Sequence, residues 1–126
     1  MTSPKRSHEN LPLFILWSDF TLWLFERTEK FPKSVRLTLT IRLENYCLDI
    51  YEVIVEARYT RNRMPILKRM DLSLEKMRLL LRFAQQRKYL SMSSYEYAAK
   101  QLFEAGKMLG GWIKTGSRDE TGHQTV

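Results

Sequence analysis

The chain has 126 residues and a mass of 15.1 kDa, which fits one domain with one modest core. Hydrophobic residues make up 44% of it and aromatic residues 12%, so the composition excludes a disordered chain. The formal net charge is +7, and residues 61–90 supply it with nine basic and two acidic side chains, whereas residues 1–32, 33–60 and 91–126 are each neutral. Such a local excess favours contact with a polyanion or an acidic partner.

Glycine, cysteine and histidine usage excludes several kinds of site. The five glycines all lie from Gly106 onward, so residues 1–105 hold no Gly-rich phosphate loop, and a sandwich of many short strands is disfavoured. Cys47 is the single cysteine, which excludes an internal disulfide and a multi-cysteine zinc site and indicates a small buried side chain. The two histidines lie in polar tails, so we predict no metal, cofactor or catalytic site. With no signal peptide and no apolar run long enough for a membrane span, the sequence predicts a cytoplasmic protein.

Proline positions predict where three helices begin. Pro12, Pro32 and Pro65 each precede a long segment free of Gly and Pro, as expected for proline in a first helical turn. The predicted helices are helix 1 at about 13–30, helix 2 at about 33–59 and helix 3 at about 64–88.

A fourth helix is predicted from its capping residues. It begins near Ser93, since Ser93 and Glu96 have capping-box spacing, and it runs to about Lys114, with Gly116 as its stop. Small residues inside it predict close approach of a neighbouring backbone: Ala98, Ala99, Ala105, Gly106, Gly110 and Gly111.

Short connections make consecutive helices antiparallel neighbours. The predicted fold is therefore an all-α, antiparallel up-down four-helix bundle over residues 13–115, with flexible polar tails at residues 1–12 and 116–126.

One segment of helix 2 has the pattern of a strand. Five apolar residues alternate with polar ones: Val35, Leu37, Leu39, Ile41 and Leu43. We favour a helix, because the segment continues without a turn residue into residues 44–59, which have helical spacing, and because a lone strand has nothing to pair with.

Helices 2 and 3 each carry two apolar stripes. The predicted core stripes are Val35, Leu39, Leu43, Tyr46, Ile50, Val53, Ile54 and Ala57 on helix 2, and Ile66, Met70, Leu74, Met77, Leu81 and Ala84 on helix 3. The second stripes are Leu37, Ile41, Leu48 and Val55 on helix 2, and Leu72, Leu79 and Phe83 on helix 3. One central helix buried on two sides explains one such pattern but not two, so we predict that the second stripes form a self-association interface in a homo-oligomer.

The basic excess lies on helix 3 and the loop before it. It comprises Arg61, Arg63, Lys68, Arg69, Lys76, Arg78, Arg82, Arg87 and Lys88. A solvated helix face is the ordinary explanation of a charge run, but the neutrality of the other segments favours binding, and arginine suits bidentate contact with phosphate or carboxylate. Because no base-reading motif is present, we predict nucleic-acid contact through the phosphate backbone of RNA or DNA.

Short motifs along the chain resemble the accessory variability determinant (Avd) of diversity-generating retroelements. The motifs are Phe31-Pro32-Lys33, Arg42-Leu43-Glu44, Leu48-Asp49, Glu56-Ala57, Asp71-Leu72-Ser73-Leu74-Glu75-Lys76 and, most specific, Met108-Leu109-Gly110-Gly111-Trp112-Ile113-Lys114. The similarity runs from about residue 18 to residue 114.

The resemblance implies a four-helix bundle that assembles as a pentameric barrel with a basic surface. Such proteins have no catalytic site, bind the reverse transcriptase of the element and nucleic acid, and support the synthesis of mutagenised cDNA and retrohoming. One alternative is a general RNA- or ribosome-associated bundle related to the ribosomal intervening-sequence proteins. Another is a hydrolase that uses Asp49, Glu52 and Glu56, which we disfavour because a strip of surface acids without a metal-binding histidine is usually solvated.

Overall fold

The computed structural model describes the backbone of residues 4–125 and the side chains of residues 12–115. Within the described residues the chain forms four α-helices and no strand, which confirms the all-helical prediction. The helices are α1 (Pro4–Thr28), α2 (Ile41–Arg58), α3 (Met64–Gln86) and α4 (Met92–Thr125). A 3₁₀ turn at Lys33–Val35 and a π-helical segment at Arg36–Thr40 lead into α2.

Hydrogen bonds between α1 and α2 show that these helices are antiparallel. The Thr28 hydroxyl, at the end of α1, donates to the Glu44 carboxylate, near the start of α2, at 2.6 Å. Further back along α1, Trp17 Nε1 donates to the backbone carbonyl of Cys47 at 2.9 Å. Each helix packs on its sequence neighbours and α1 also packs on α4, so the four helices form a closed bundle.

The core lies where the predicted stripes of α2 and α3 meet α1 and α4. Leu43, Ile50 and Ile54 of α2 are buried against α1 residues such as Trp17 and Phe20. Burying one such aliphatic side chain stabilises the fold by about 1.5–3 kcal/mol. All of the predicted core stripe is buried or packs against the buried cluster, which confirms that part of the sequence analysis.

Cys47 is a free thiol inside this core, as predicted. Burial raises the pKa of the Cys47 thiol to about 12, since a thiolate there would lose its hydration. A thiol held neutral and shielded from solvent acts as a small apolar side chain and is chemically inert.

The strand-like alternation before α2 results from two helical stripes. Val35, Leu39 and Leu43 are four residues apart and face the core, whereas Leu37 and Ile41, also four apart, are exposed. Two stripes offset by two residues produce strict alternation in the sequence. The helical interpretation is therefore confirmed, although the single predicted helix is divided into a 3₁₀ turn, a π-helical segment and α2.

The ends of the first and last helices differ from the prediction. Helix α1 begins at Pro4, so Pro4 rather than Pro12 occupies the first turn, and Pro12 lies inside the helix. Helix α4 continues through Gly116 to Thr125, because one glycine costs a helix only about 1 kcal/mol. The predicted flexibility of residues 1–12 and 116–126 stays a prediction.

The predicted cap of α4 is wrong by two residues. The Ser94 backbone N–H donates to the Ser91 hydroxyl at 3.1 Å, which makes Ser91 the capping residue and places Ser93 in the first turn. Serines at positions 91, 93 and 94 make the capping residue ambiguous in the sequence. The conformation of the turn before α4 decides which serine caps the helix.

Among the described residues, no other part of the chain closely approaches the α4 glycines. A Cβ added to Gly106, Gly110 or Gly111 meets no described atom within 4 Å. The alanines Ala98 and Ala105, by contrast, are fully buried in the core.

Replacing Gly106 by alanine is therefore expected to stabilise the protein. The substitution removes the entropic cost of glycine inside a helix without a clash, so the free energy of unfolding should rise by about 1 kcal/mol. Urea unfolding of Gly106→Ala beside the unmodified chain measures the change. A lower midpoint for the variant would show that a side chain has no room at this position.

Candidate interaction surfaces

The second stripes of α2 and α3 are exposed to solvent in the single chain. On α2 and the π-helical segment before it, the exposed fraction of these residues runs from 41% at Val55 to 82% at Leu37. On α3, Leu79 is 67% exposed, and Leu72 and Phe83 lie beside it on the same face. Exposed apolar patches are typical of interaction sites, whether for proteins, membranes or ligands. The exposure is the property that the predicted self-association interface requires.

Helix α1 adds two exposed apolar residues that the sequence analysis missed, Ile15 and Leu22. They are seven residues apart and lie off the buried stripe of α1. The signal is weak in the sequence, because residues 13–17 and 22–25 are apolar without interruption and no separate stripe can be read from them.

A mixed-charge groove of about 390 Å³ runs between α2 and α3. Its acidic side is Asp49, Glu52 and Glu56 of α2, and its basic side is Arg69 and Lys76 of α3. The acidic strip considered for a hydrolase therefore lies opposite basic side chains. Nearby carboxylates lower the positive potential around Arg69 and Lys76, so this groove is a poorer site for a polyanion than the sequence suggested.

A basic groove of about 530 Å³ lies further along the same two helices. Arg42 of α2 and Arg87, the residue directly after α3, line it, together with uncharged side chains: Val35, Thr38, Leu39, Leu80, Phe83 and Tyr89. Arg87 Nε donates to the Tyr89 hydroxyl at 3.3 Å, which orients the guanidinium. No carboxylate is among the described residues that line this groove. The sequence analysis missed Arg42 because it belongs to a stretch that is neutral overall.

The other predicted basic residues lie apart from this groove. Arg78 forms an ion pair with Glu75 on its own helix, and exposed pairs of this kind contribute little to stability. Arg63 lies over the ring of Trp112, with its guanidinium carbon 5.5 Å from the ring centroid. Arg61, Lys68 and Arg82 are exposed. The nine predicted residues therefore form several separate groups around α3 and not one patch.

Lys88 has a structural role at the end of α3. Its φ of 66° is in the left-handed region, which glycine usually occupies after a helix. The Tyr89 N–H donates to the Ala84 carbonyl, and the Lys88 N–H donates to the Gln85 carbonyl, each at 2.9 Å. These two bonds form a Schellman motif, so the backbone of Lys88 terminates the helix in an ordered turn.

The described part of the chain contains neither a cluster of metal-ligating side chains nor a helix suited to a membrane. Among the described residues no group of three or more His, Cys, Asp or Glu side chains is placed to hold a metal ion. No helix in the described part of the chain is long and apolar enough to cross a membrane.

The fold and its surfaces define an all-helical bundle protein with exposed apolar stripes and a basic groove between two helices. The model of the bAvd-like family matches residues 15–116, and the chain belongs to this family of accessory proteins. The resemblance to Avd is thereby confirmed. No curated protein and no solved structure matches the chain.

The most specific motif of the resemblance contributes to the core. Leu109 and Trp112 are buried, whereas Gly110 and Gly111 between them are exposed. The Arg63 guanidinium lies over the Trp112 ring. Because Arg63 directly precedes α3, this contact connects the motif in α4 to the start of α3. Its role in this structure is packing.

Replacing Lys88 by glycine is expected to stabilise the chain. Glycine adopts the left-handed conformation without the penalty of a Cβ, so the free energy of unfolding should rise by about 1 kcal/mol. Thermal and urea unfolding measure this change, with Lys114→Gly as a control that removes the same charge from a helical position and should destabilise. A loss of stability in Lys88→Gly would contradict the assigned cap.

Proposed function

We propose that this chain is a non-enzymatic accessory protein of a diversity-generating retroelement. It assembles as a homopentameric barrel, binds the reverse transcriptase of the element and nucleic acid, and supports mutagenic cDNA synthesis and retrohoming. Membership of the bAvd-like family is the observation that carries this proposal. The polymerase supplies the chemistry, and the bundle supplies binding surfaces.

The basic groove is the best nucleic-acid site on the described surface. Arg42 and Arg87 approach it from two helices, and a guanidinium can donate two parallel hydrogen bonds to one phosphate. Because no carboxylate shares the lining, both positive charges are available to a polyanion. In the mixed-charge groove, by contrast, the phosphate would meet Asp49 and Glu56.

Assembly multiplies this weak site. One groove offers two guanidinium groups, which is too few for tight binding at physiological salt. A ring of identical copies presents the groove several times to one RNA, and linked contacts raise the overall affinity without any new interaction. The backbone character of the contacts makes binding salt-sensitive and largely independent of sequence.

Charge reversal in the groove tests the nucleic-acid contact. The double variant Arg42→Glu/Arg87→Glu should weaken binding of template-repeat RNA at least tenfold at moderate salt, because two phosphate contacts are lost. It should also flatten the dependence of log Kd on log salt by about 1.4 for each copy of the chain that contacts the RNA, since each contact to a single strand contributes about 0.7. Fluorescence anisotropy across a salt series measures both quantities.

The matched control is Arg61→Glu/Arg69→Glu, which changes the net charge by the same amount outside the basic groove. Its loss of binding free energy should be less than a third of the loss in the groove variant. Equal losses in the two variants would show that only total charge matters.

The same proteins are then added to the reverse transcriptase and its template RNA, where cDNA synthesis should require the chain. An equal yield of cDNA in a reaction that lacks the chain would overturn the accessory role.

A further inference from the structure

Helix α4 presents one exposed face that neither the bundle core nor the predicted self-association interface uses. Residues at alternating intervals of three and four lie on one face of a helix. On α4 the exposed residues at these intervals are three lysines, one aromatic residue and one glycine. We call them the α4 face: Lys100, Phe103, Lys107, Gly110 and Lys114.

The α4 face combines positive charge with an apolar side chain. Lys100, Lys107 and Lys114 recur every seven residues, so their Cα atoms lie about 10.5 Å apart along the helix. Phe103 lies between the first two lysines and is 58% exposed. The Lys107 Nζ is 5.6 Å from the centroid of the Phe103 ring, which is a cation–π contact. Because aromatic residues are enriched in protein interfaces, the exposed ring is suited to contact with another protein.

Gly110 leaves the backbone of α4 uncovered on the same face. A Cβ added to Gly110 meets no described atom within 4 Å, and its φ lies outside the left-handed region. The same is true of Gly111 beside it, which is also exposed. Neither packing within the described chain nor backbone conformation therefore requires glycine here, although glycine destabilises a helix relative to alanine. A partner that packs directly against the helix backbone explains it, because a side chain would hold that partner away.

We propose that the α4 face binds an amphipathic helix of a partner protein, one that carries acidic side chains beside its apolar stripe. This assignment rests on the proposed function, in which the reverse transcriptase is the partner protein, and it gives the surface where the polymerase binds. The distance between two packed helices depends on the side chains at the contact, and glycine permits a short one. At that distance the partner covers Phe103 and places its carboxylates beside the lysines.

A protein helix suits this face better than a nucleic-acid backbone does. Glu104 lies beside the face, with its carboxylate 3.9 Å from the Lys107 Nζ, and exposed Glu96 continues the face one turn before Lys100. A row of phosphates would meet both carboxylates, whereas a protein can place an uncharged or basic side chain opposite each. The face also lacks arginine, the residue that donates two parallel hydrogen bonds to one phosphate.

A series of side chains at position 110 tests the surface. Gly110→Ala and Gly110→Gln place longer side chains at an open position, so both variants should resist urea at least as well as the unmodified chain. Gly110→Gln should weaken binding of the purified reverse transcriptase by about tenfold or more, because overpacking holds the partner helix away. Gly110→Ala should weaken it less. Biolayer interferometry with immobilised polymerase, in the absence of RNA, measures the affinities.

Reversing the central lysine tests the charge of the partner. Lys107→Glu should weaken binding of the polymerase by about tenfold at low salt and by less at high salt, because salt screens exposed charges. The control is Lys30→Glu, in the turn after α1, which makes the same change in net charge outside the α4 face. It should leave the affinity within about twofold of that of the unmodified chain. Equal losses in the two variants would contradict an acidic partner at this face.

Three further outcomes overturn the assignment, and one of them reaches the proposed function. A folded Gly110→Gln variant that binds the polymerase as tightly as the unmodified chain would show that another surface is used, and the accessory role would stand. If Gly110→Gln instead loses RNA binding or changes the subunit number, with polymerase binding intact, nucleic acid or a second copy of the chain covers the face. An unmodified chain that does not bind the polymerase overturns the proposed function itself.

Discussion

Helix α2 has apolar side chains on two sides, and a bundle of four helices covers only one of them. The inner stripe, with Leu43, Ile50 and Ile54, fills the core. The outer stripe, with Leu37, Leu48 and Val55, stays in contact with water in the single chain. Because most of these residues are already partly covered, burying each one is worth only a fraction of the about 1.5–3 kcal/mol of a fully exposed aliphatic side chain, and the set together favours association.

The charges are divided unevenly over the surface. The positive excess lies on α3 and the residues beside it, while the outer surfaces of α1 and α2 carry carboxylates such as Asp19 and Glu52. Exposed ion pairs add little affinity, so the apolar residues and not the charges supply most of the driving force for the proposed association. Arg42 and Arg87 line a groove that has no carboxylate among its described lining residues, so both guanidinium groups are available to contact phosphate.

Helical periodicity made much of the fold predictable from the sequence. The core stripes of α2 and α3 recur every three or four residues, and the structure buries them. Helix α1 was harder, because its apolar residues surround the helix and Ile15 and Leu22 do not stand out. The grouping of the basic residues depends on which α2 side chain lies opposite each α3 position. The periodicity of one helix contains no information about that register, which explains why Arg42 was missed.

The subunit number of the unmodified chain tests the central claim most directly. Native mass spectrometry over a hundredfold range of protein concentration, at moderate salt, measures it. The proposed homopentameric barrel predicts one closed species, of five copies, whose size does not grow with concentration. A monomer at every concentration, or a dimer as the largest species, would contradict it.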